Sequence, residues 1–223
     1  MLSNREKHNH QETDRPRCGV AKQDHWDAVW TAKEPTGMSW YQPEPAVSLG
    51  LVGSSGVSPS APFVDIGGGA STLVDHLLER GHTDLTVLDI SARALDRARE
   101  RLGADADTVT WVEGDAVDPP FRRRFAFWHD RAVFHFLIEA ADRAAYLAAL
   151  RRHLDPDGQL IIATFAPGGP DTCSGLPVRR YDADALADEV GSGFEPVTET
   201  REVHTTPWGG EQPFQYVLIR RSG

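Results

Sequence analysis

Phe63–Thr72 reads FVDIGGGAST. A short apolar run ends in Asp65, and three glycines follow at once. Downstream, STLVDHLLERG (71–81) carries Leu73, Val74, Leu77 and Leu78 at helical spacing, with Gly81 as a C-cap. Strand, glycine turn and helix therefore stand in immediate succession. In open α/β sheets ligands sit beyond the carboxyl ends of the strands. A residue without Cβ lets the backbone approach such a ligand closely. A plain tight turn is the alternative reading of the same glycines.

The same alternation continues outward from this turn. LTVLDI (85–90) reads as a strand, and SARALDRARERLG (91–103) as a helix that Ser91 caps. VTWVEGD (109–115) and FAFWHD (125–130) are strands, DRAAYLAALRRHL (142–154) is an amphipathic helix, and GQLIIATFA (158–166) is a buried strand. After a Gly- and Pro-rich loop, DADALADEV (182–190) is a helix. FEPVTETREVHTT, PWGGEQ and FQYVLIRR (194–221) then read as a β-hairpin. The pattern predicts an α/β fold: a doubly wound, mostly parallel seven-stranded sheet with a C-terminal antiparallel hairpin. Before the first strand, QDHWDAVWTAKE (23–34) is a short helix with Trp26 and Trp30 on one face. PTGMSWYQPEP (35–45) is an aromatic loop, SLGLV (48–52) is a further helical turn, and GSSGVSPSAP (53–62) is a connector. The expected organisation is a disordered polar tail over 1–22, a helix and aromatic lid over 23–58, and the main domain over 59–223.

The 223 residues suffice for one domain with a real core, and 40% apolar and 25% charged residues are ordinary for a globular protein. No apolar run approaches the roughly 18–20 residues of a membrane span, and the polar start has no h-region, so no membrane or secretory role is expected. Cys18 and Cys173 suggest neither a disulfide frame nor a metal site, which fits a reducing cytoplasm. A net charge of −10 repels nucleic-acid phosphates, and the cluster Arg122–Arg124 reads as a solvated turn. Nothing here fixes an oligomeric state.

Two cofactor readings compete at the glycines. A dinucleotide fingerprint, G-x-G-x-x-G, counted from Gly67 and Gly69 needs a third glycine at position 72, where Thr72 stands. Asp65 just before the turn would gain nothing from a pyrophosphate. A carboxylate there suits a ligand with a positive group, and S-adenosylmethionine has an ammonium and a sulfonium and no phosphate. A nicotinamide-dependent oxidoreductase is the weaker reading for that reason.

Asp65-Ile66-Gly67-Gly68-Gly69-Ala70-Ser71 resembles the first motif of class I S-adenosylmethionine-dependent methyltransferases, [D/E]-x-G-x-G-x-G, with Ser71 replacing the last glycine. The resemblance covers about residues 23 to 221. It implies that Asp65 holds the methionine ammonium and that Gly67, Gly68, Gly69 and Ser71 pass under the methionine part. It implies further that Asp89, with Ile90 beside it, accepts the ribose hydroxyls, and that Asp115 and the Ala116 N–H hold the adenine. S-adenosylhomocysteine would be the product.

The aromatic segments resemble a narrower group. W-x-x-x-W (Trp26, Trp30) followed by Trp40 and Tyr41 is similar to thiopurine and thiol or halide methyltransferases. FWHDRAVFHFL (127–137) is similar to their W-D-R-x-x-L segment, with His129 inserted. The same segment resembles D-K-G-T-x-D of lysine methyltransferases that act on citrate synthase and elongation factors, with Asp130 kept, Arg131 for Lys and His135 for the second Asp. These likenesses imply Trp26, Trp40 and His129 on the cofactor and Trp30 and Tyr41 on the acceptor. His135, Asp130 and Arg131 then fall at the reacting centre, His135 as general base. Arg131 would pair with an acidic acceptor or with Asp130. The loop after the fifth strand would add Arg179, Arg180 and Tyr181 as acceptor contacts, and Cys173 is read as a plain loop residue. The expected activity is methyl transfer from S-adenosylmethionine to a small acceptor, a thiol or other soft nucleophile. A protein-lysine methyltransferase and a non-catalytic S-adenosylmethionine-binding protein are the alternatives.

Overall fold

The computed structural model describes residues 18–222. The expected tail lies for the most part outside them; within them, α1 (Cys18–Ala32) already begins at Cys18, earlier than the sequence pattern suggested. A 3-10 turn (Pro35–Gly37) and the aromatic loop lead to α2 (Ala46–Ser55). This is a full helix where a single turn was expected, and the left-handed Gly56 ends it.

The elements that follow are β1 (Phe63–Ile66), α3 (Leu73–Glu79), β2 (Leu85–Asp89), α4 (Ala92–Leu102), β3 (Val109–Glu113), β4 (Phe125–Arg131), α5 (Ala140–His153) and β5 (Leu154–Phe165). A two-residue pair, β6 (Thr172–Cys173) and β7 (Leu176–Pro177), shapes the next loop. α6 (Ala183–Val190), β8 (Phe194–Thr205) and β9 (Glu211–Arg221) close the chain. The helix starts are chemical: the Ser91 hydroxyl accepts from the Ala94 N–H, and the Asp182 carboxylate from the Ala185 N–H.

The sheet runs β3-β2-β1-β4-β5-β9-β8, parallel from β3 to β5, with β9 antiparallel to both of its neighbours. This is the expected doubly wound sheet with its terminal hairpin. Strand order reverses at β1, between β2 and β4, so the turn after β1 lies at the switch point where crevices open.

Alternation along the strands sends side chains to two cores. Phe63, Val87, Phe127, Ile161 and Ala163 pack under α2, α3 and α4. Val64, Ile66, Trp128, Leu160 and Ile162 pack under α5 and α6. Of the three clustered arginines, Arg123 forms a fork on Asp84, and Arg124 donates to the Leu154 carbonyl. They pin the turn before β4. No described helix is long and apolar enough to cross a membrane.

Candidate active site

Two cavities meet above the carboxyl ends of β1, β2 and β4. The larger, about 360 Å³, is lined by Leu88, Asp89, Ile90, Gly114, Asp115 and Ala116 on one side. Val133, Phe136, Leu137, Leu176 and Pro177 line the other, under a roof of Trp26, Trp30 and Trp40. The smaller, about 60 Å³, is more polar than the larger one and lies between the glycine turn and the aromatic loop, lined among others by Tyr41, Ser48, Asp65, Gly68, Ser71 and His129. Trp30, Trp40, Gly67 and Arg131 line both.

The glycine turn is built tightly. Gly67 has φ +63° and Gly69 φ +43°, a region glycine enters at no steric cost. A Cβ on Gly67 would run into the Val133 side chain. One on Gly68 would lie 2.5 Å from Asp65 Oδ2, and one on Gly69 2.7 Å from Asp89 Oδ2. The turn thus passes directly over both carboxylates. Arg101, from the end of α4, clamps it by donating to the Ala70 and Ser71 carbonyls while its fork holds Asp75.

The acids differ in their surroundings. Asp89 is buried; Oδ1 accepts from the Ser91 N–H at 2.8 Å. Burial pushes its carboxyl up to about 7, helped by the nearby Asp65 and Asp27 and opposed by the backbone N–H groups of Ser91 and Ile90. Asp115 accepts from the Val117 N–H and stands at the cavity edge beside Ala116. Asp65 Oδ1 lies 2.7 Å from His129 Nδ1, and His129 Nε2 lies 2.9 Å from the Ser48 hydroxyl. The parallel register sets Asp65 directly opposite His129.

The end of β4 departs from the sequence expectation. Successive residues of a strand face opposite ways, so His129 and Arg131 face the cavities while Asp130 turns into the other core. There Asp130 Oδ1 accepts from the Val133 and Phe134 N–H groups. Its Oδ2 accepts from the Tyr146 hydroxyl at 2.6 Å, which in turn accepts from Trp128 Nε1. Burial raises its carboxyl to about 6 against these hydrogen bonds. Asp130 is a fold anchor and does not reach the cavities.

His135 is displaced too. It is fully buried, its ring packs against Phe136 and Phe165 at 4.5 and 4.8 Å, and neither nitrogen has a hydrogen-bond partner among the described residues. Burial and the Arg131 charge hold it down to about 3. It lines neither cavity and is not placed to take a proton from an acceptor. Arg180 donates to the Gly169 carbonyl, Arg179 stacks over Tyr181 and leans to Glu189, and Tyr181 is buried against Phe134. These three lie away from the cavities as well. The β6–β7 turn instead brings Cys173, Leu176 and Pro177 to the wall. Burial raises the Cys173 thiol to about 11, so it lines the cavity as an apolar group.

Arg131 is the cation of the site. Its Nε donates to the Tyr216 hydroxyl at 2.8 Å, its Nη1 to the Trp40 carbonyl at 3.1 Å, and its guanidinium stacks 4.4 Å from the Phe214 ring. Nη2 is buried without a hydrogen-bond partner among the described residues; a Glu202 oxygen stands 3.9 Å away. Ser48 and Gln42, both lining the small cavity, carried no signal in the sequence: α2, which holds Ser48, was read as a single turn, and Gln42 is one polar residue of the aromatic loop.

Sheet order, the glycine turn and the acids that end β2 and follow β3 are those of the Rossmann-like methyltransferase fold. Residues 63–158 match the protein-family model described as "Methyltransferase domain". Among curated proteins, the chain is 31% identical over 112 residues to the ubiquinone/menaquinone biosynthesis C-methyltransferase UbiE of Ruegeria sp. (strain TM1040), covering 48% of this chain and 44% of that one. The chain thus matches less than half the length of that relative. Its fold is shared with an S-adenosylmethionine-dependent methyltransferase of Anabaena variabilis: TM-score 0.72, 17% identity, 93% of this chain and 96% of that one. It is shared also with a protein solved in work on the conversion of a disulfide bond into a thioacetal group during echinomycin biosynthesis, with TM-score 0.72, 21% identity, and 89% and 91% covered.

The residues present fit S-adenosylmethionine. Asp89, buried and with backbone donors only, has acceptor capacity left for two ribose hydroxyls, and the glycine turn offers a cradle that any Cβ would fill. The tryptophan roof presents ring faces and edges to a sulfonium.

Proposed function

We propose that the protein transfers a methyl group from S-adenosylmethionine to a small, largely apolar acceptor whose nucleophile is soft and ionised, a thiolate or an electron-rich phenolate. The cofactor supplies an electrophilic methyl. The chain supplies position and exclusion of water, which are what an in-line displacement requires. Asp89 and the Asp115–Ala116 edge would hold the adenosine and Asp65 the ammonium. The tryptophan roof would exclude solvent.

The observation that carries the reading of the acceptor is the setting of Arg131. Arg131 lines both cavities on the β4–β9 side of the glycine turn, with Nη2 buried and without a hydrogen-bond partner among the described residues, while the walls beyond it are Val133, Phe136, Leu176 and Pro177. A guanidinium there favours the anionic form of an acceptor. It does so without a general base, a part that the buried, neutral His135 does not play. The apolar walls favour a body of hydrocarbon or aromatic character. The curated relative, named for C-methylation in quinone biosynthesis, fits a phenolate acceptor as well as the aromatic segments fit a thiolate.

The first test is calorimetric titration of S-adenosylmethionine and S-adenosylhomocysteine, with NAD as control. Binding of the first two alone supports the cofactor assignment. Aryl thiols, phenols and lysine peptides are then compared for acceptor-dependent formation of S-adenosylhomocysteine. With an active thiol or phenol, Arg131→Gln is expected to move the rise of turnover to higher pH while leaving cofactor affinity within a few-fold. An unmoved pH profile removes Arg131 from the acceptor. Activity on lysine peptides alone would favour a protein substrate, and no activity on any acceptor a binding role.

A further inference from the structure

Ser48, His129 and Asp65 form a chain of hydrogen bonds across three elements: the first turn of α2, β4 and β1. All three are buried, at 0%, 3% and 4% exposure. A carboxylate can only accept, so His129 Nδ1 carries the proton towards Asp65. Its Nε2 is then left to accept from the Ser48 hydroxyl. In order and chemistry this is the serine–histidine–aspartate pattern that activates nucleophiles in hydrolases. Here it cannot serve attack, because the Ser48 hydroxyl is sealed in and the adjoining cavity of about 60 Å³ has no room for an acyl group beside it.

The opposite end of the chain is open. Asp65 Oδ1 is taken by His129, while Oδ2 lies beneath the glycine turn, 2.5 Å from where a Gly68 Cβ would stand. We infer that Ser48 and His129 are positioning residues: they fix the Asp65 carboxylate so that Oδ2 alone is presented to the ammonium of the amino-acid head. Through Ser48 they make that presentation depend on α2, the helix that follows the aromatic loop. The inference rests on the cofactor reading above. What it adds is a histidine held in one tautomer by a helix outside the methyltransferase motif.

The logic of second-partner orientation is general. A buried imidazole whose far nitrogen loses its partner can flip or change tautomer, and the group it holds then loses its direction. Ser48→Ala removes one oxygen. His129→Leu removes the donor to Asp65. His129→Asn keeps an amide N–H near the Nδ1 position and so retains that donor. The probes are S-adenosylhomocysteine, which has the amino-acid head, and 5′-methylthioadenosine, which lacks it.

Expected by calorimetry is a loss of about tenfold in S-adenosylhomocysteine affinity in Ser48→Ala and more in His129→Leu, about the worth of one misdirected hydrogen bond. His129→Asn should recover part of it. Methylthioadenosine should bind all variants as it binds the wild type, which also reports that they are folded. Equal weakening of both probes in Ser48→Ala overturns the inference, because the residues then merely pack. If His129→Leu does not fold, Ser48→Ala decides. A second readout is independent of ligands. Nitrogen-15 NMR of labelled histidine should show His129 protonated at Nδ1 in the wild type, and protonation at Nε2 alone overturns the chain. If the wild type binds neither probe, the cofactor reading itself has failed, an outcome distinct from either of these.

Discussion

Asp89 is buried before any ligand arrives, and burial raises its carboxyl from an ordinary value near 3.8 to about 7. Ribose hydroxyls donate, so they bind the ionised form, and below pH 7 the bound proton must first leave. Cofactor affinity is therefore expected to rise as pH climbs through about 7. The apo fold behaves oppositely: a carboxyl raised in the folded state stabilises it below the unfolded value, and that contribution is lost as pH rises through about 7. Asp89→Ala should weaken S-adenosylhomocysteine by about 1–3 kcal/mol, the cost of hydroxyls left unpaired, and abolish the pH dependence. Calorimetry at pH 6, 7 and 8 checks both, and an Asp89→Ala affinity equal to wild type would take Asp89 out of the site.

At the scale of the element, β4 separates what the sequence made legible from what it did not. The acids Asp65, Asp89 and Asp115 were readable because each ends, or just follows, a strand in an unbroken β-α alternation, and a strand end is a local fact. The tail of β4 was not readable in that way. Which of His129, Asp130 and Arg131 faces the cavities depends on register against β1, and that pairing spans more than sixty residues (Asp65 to His129). The His135 expectation failed for a related reason: the 3-10 turn Phe134–Phe136 begins two residues after β4 and winds the ring into the core. Ser48 was invisible because nothing in SLGLV distinguishes a buried serine from an exposed one.

The anchor on the far side of β4 gives a test at this scale. Tyr146 holds α5 to the strand by donating to Asp130 and accepting from Trp128. Tyr146→Phe strands both partners in the core and should cost about 1–3 kcal/mol of stability. Urea denaturation measures it. Cofactor affinity should stay at the wild-type level, since none of the three residues lines a cavity; a parallel loss of affinity would contradict the two-faced reading of β4.

Across the whole molecule the roof is fastened unequally. The aromatic loop gives its backbone carbonyls to four side chains of the main domain: Ser39 to His204, Trp40 to Arg131, Gln42 to Thr72 and Pro43 to His76. Helix α1 is tied through side chains: the surface pairs Lys22–Asp142 and Gln23–Glu113, the partly buried pair Asp27–Ser91, and Trp30 packed on Met38, Ala70 and Ala94. Backbone amides of α1 are therefore expected to exchange faster than those of 38–45 in the apo protein, and to gain the larger protection when S-adenosylhomocysteine binds. Hydrogen-exchange mass spectrometry resolves the two segments; equal protection would mean the roof moves as one piece. The 38–45 segment then acts as a fixed jamb and α1 as the door. Lys22–Asp142 is a partly exposed ion pair that salt screens, so spent cofactor should leave faster as ionic strength rises. The time each product molecule stays bound would then be set at the surface by the ions around it, well away from the carbon that moves.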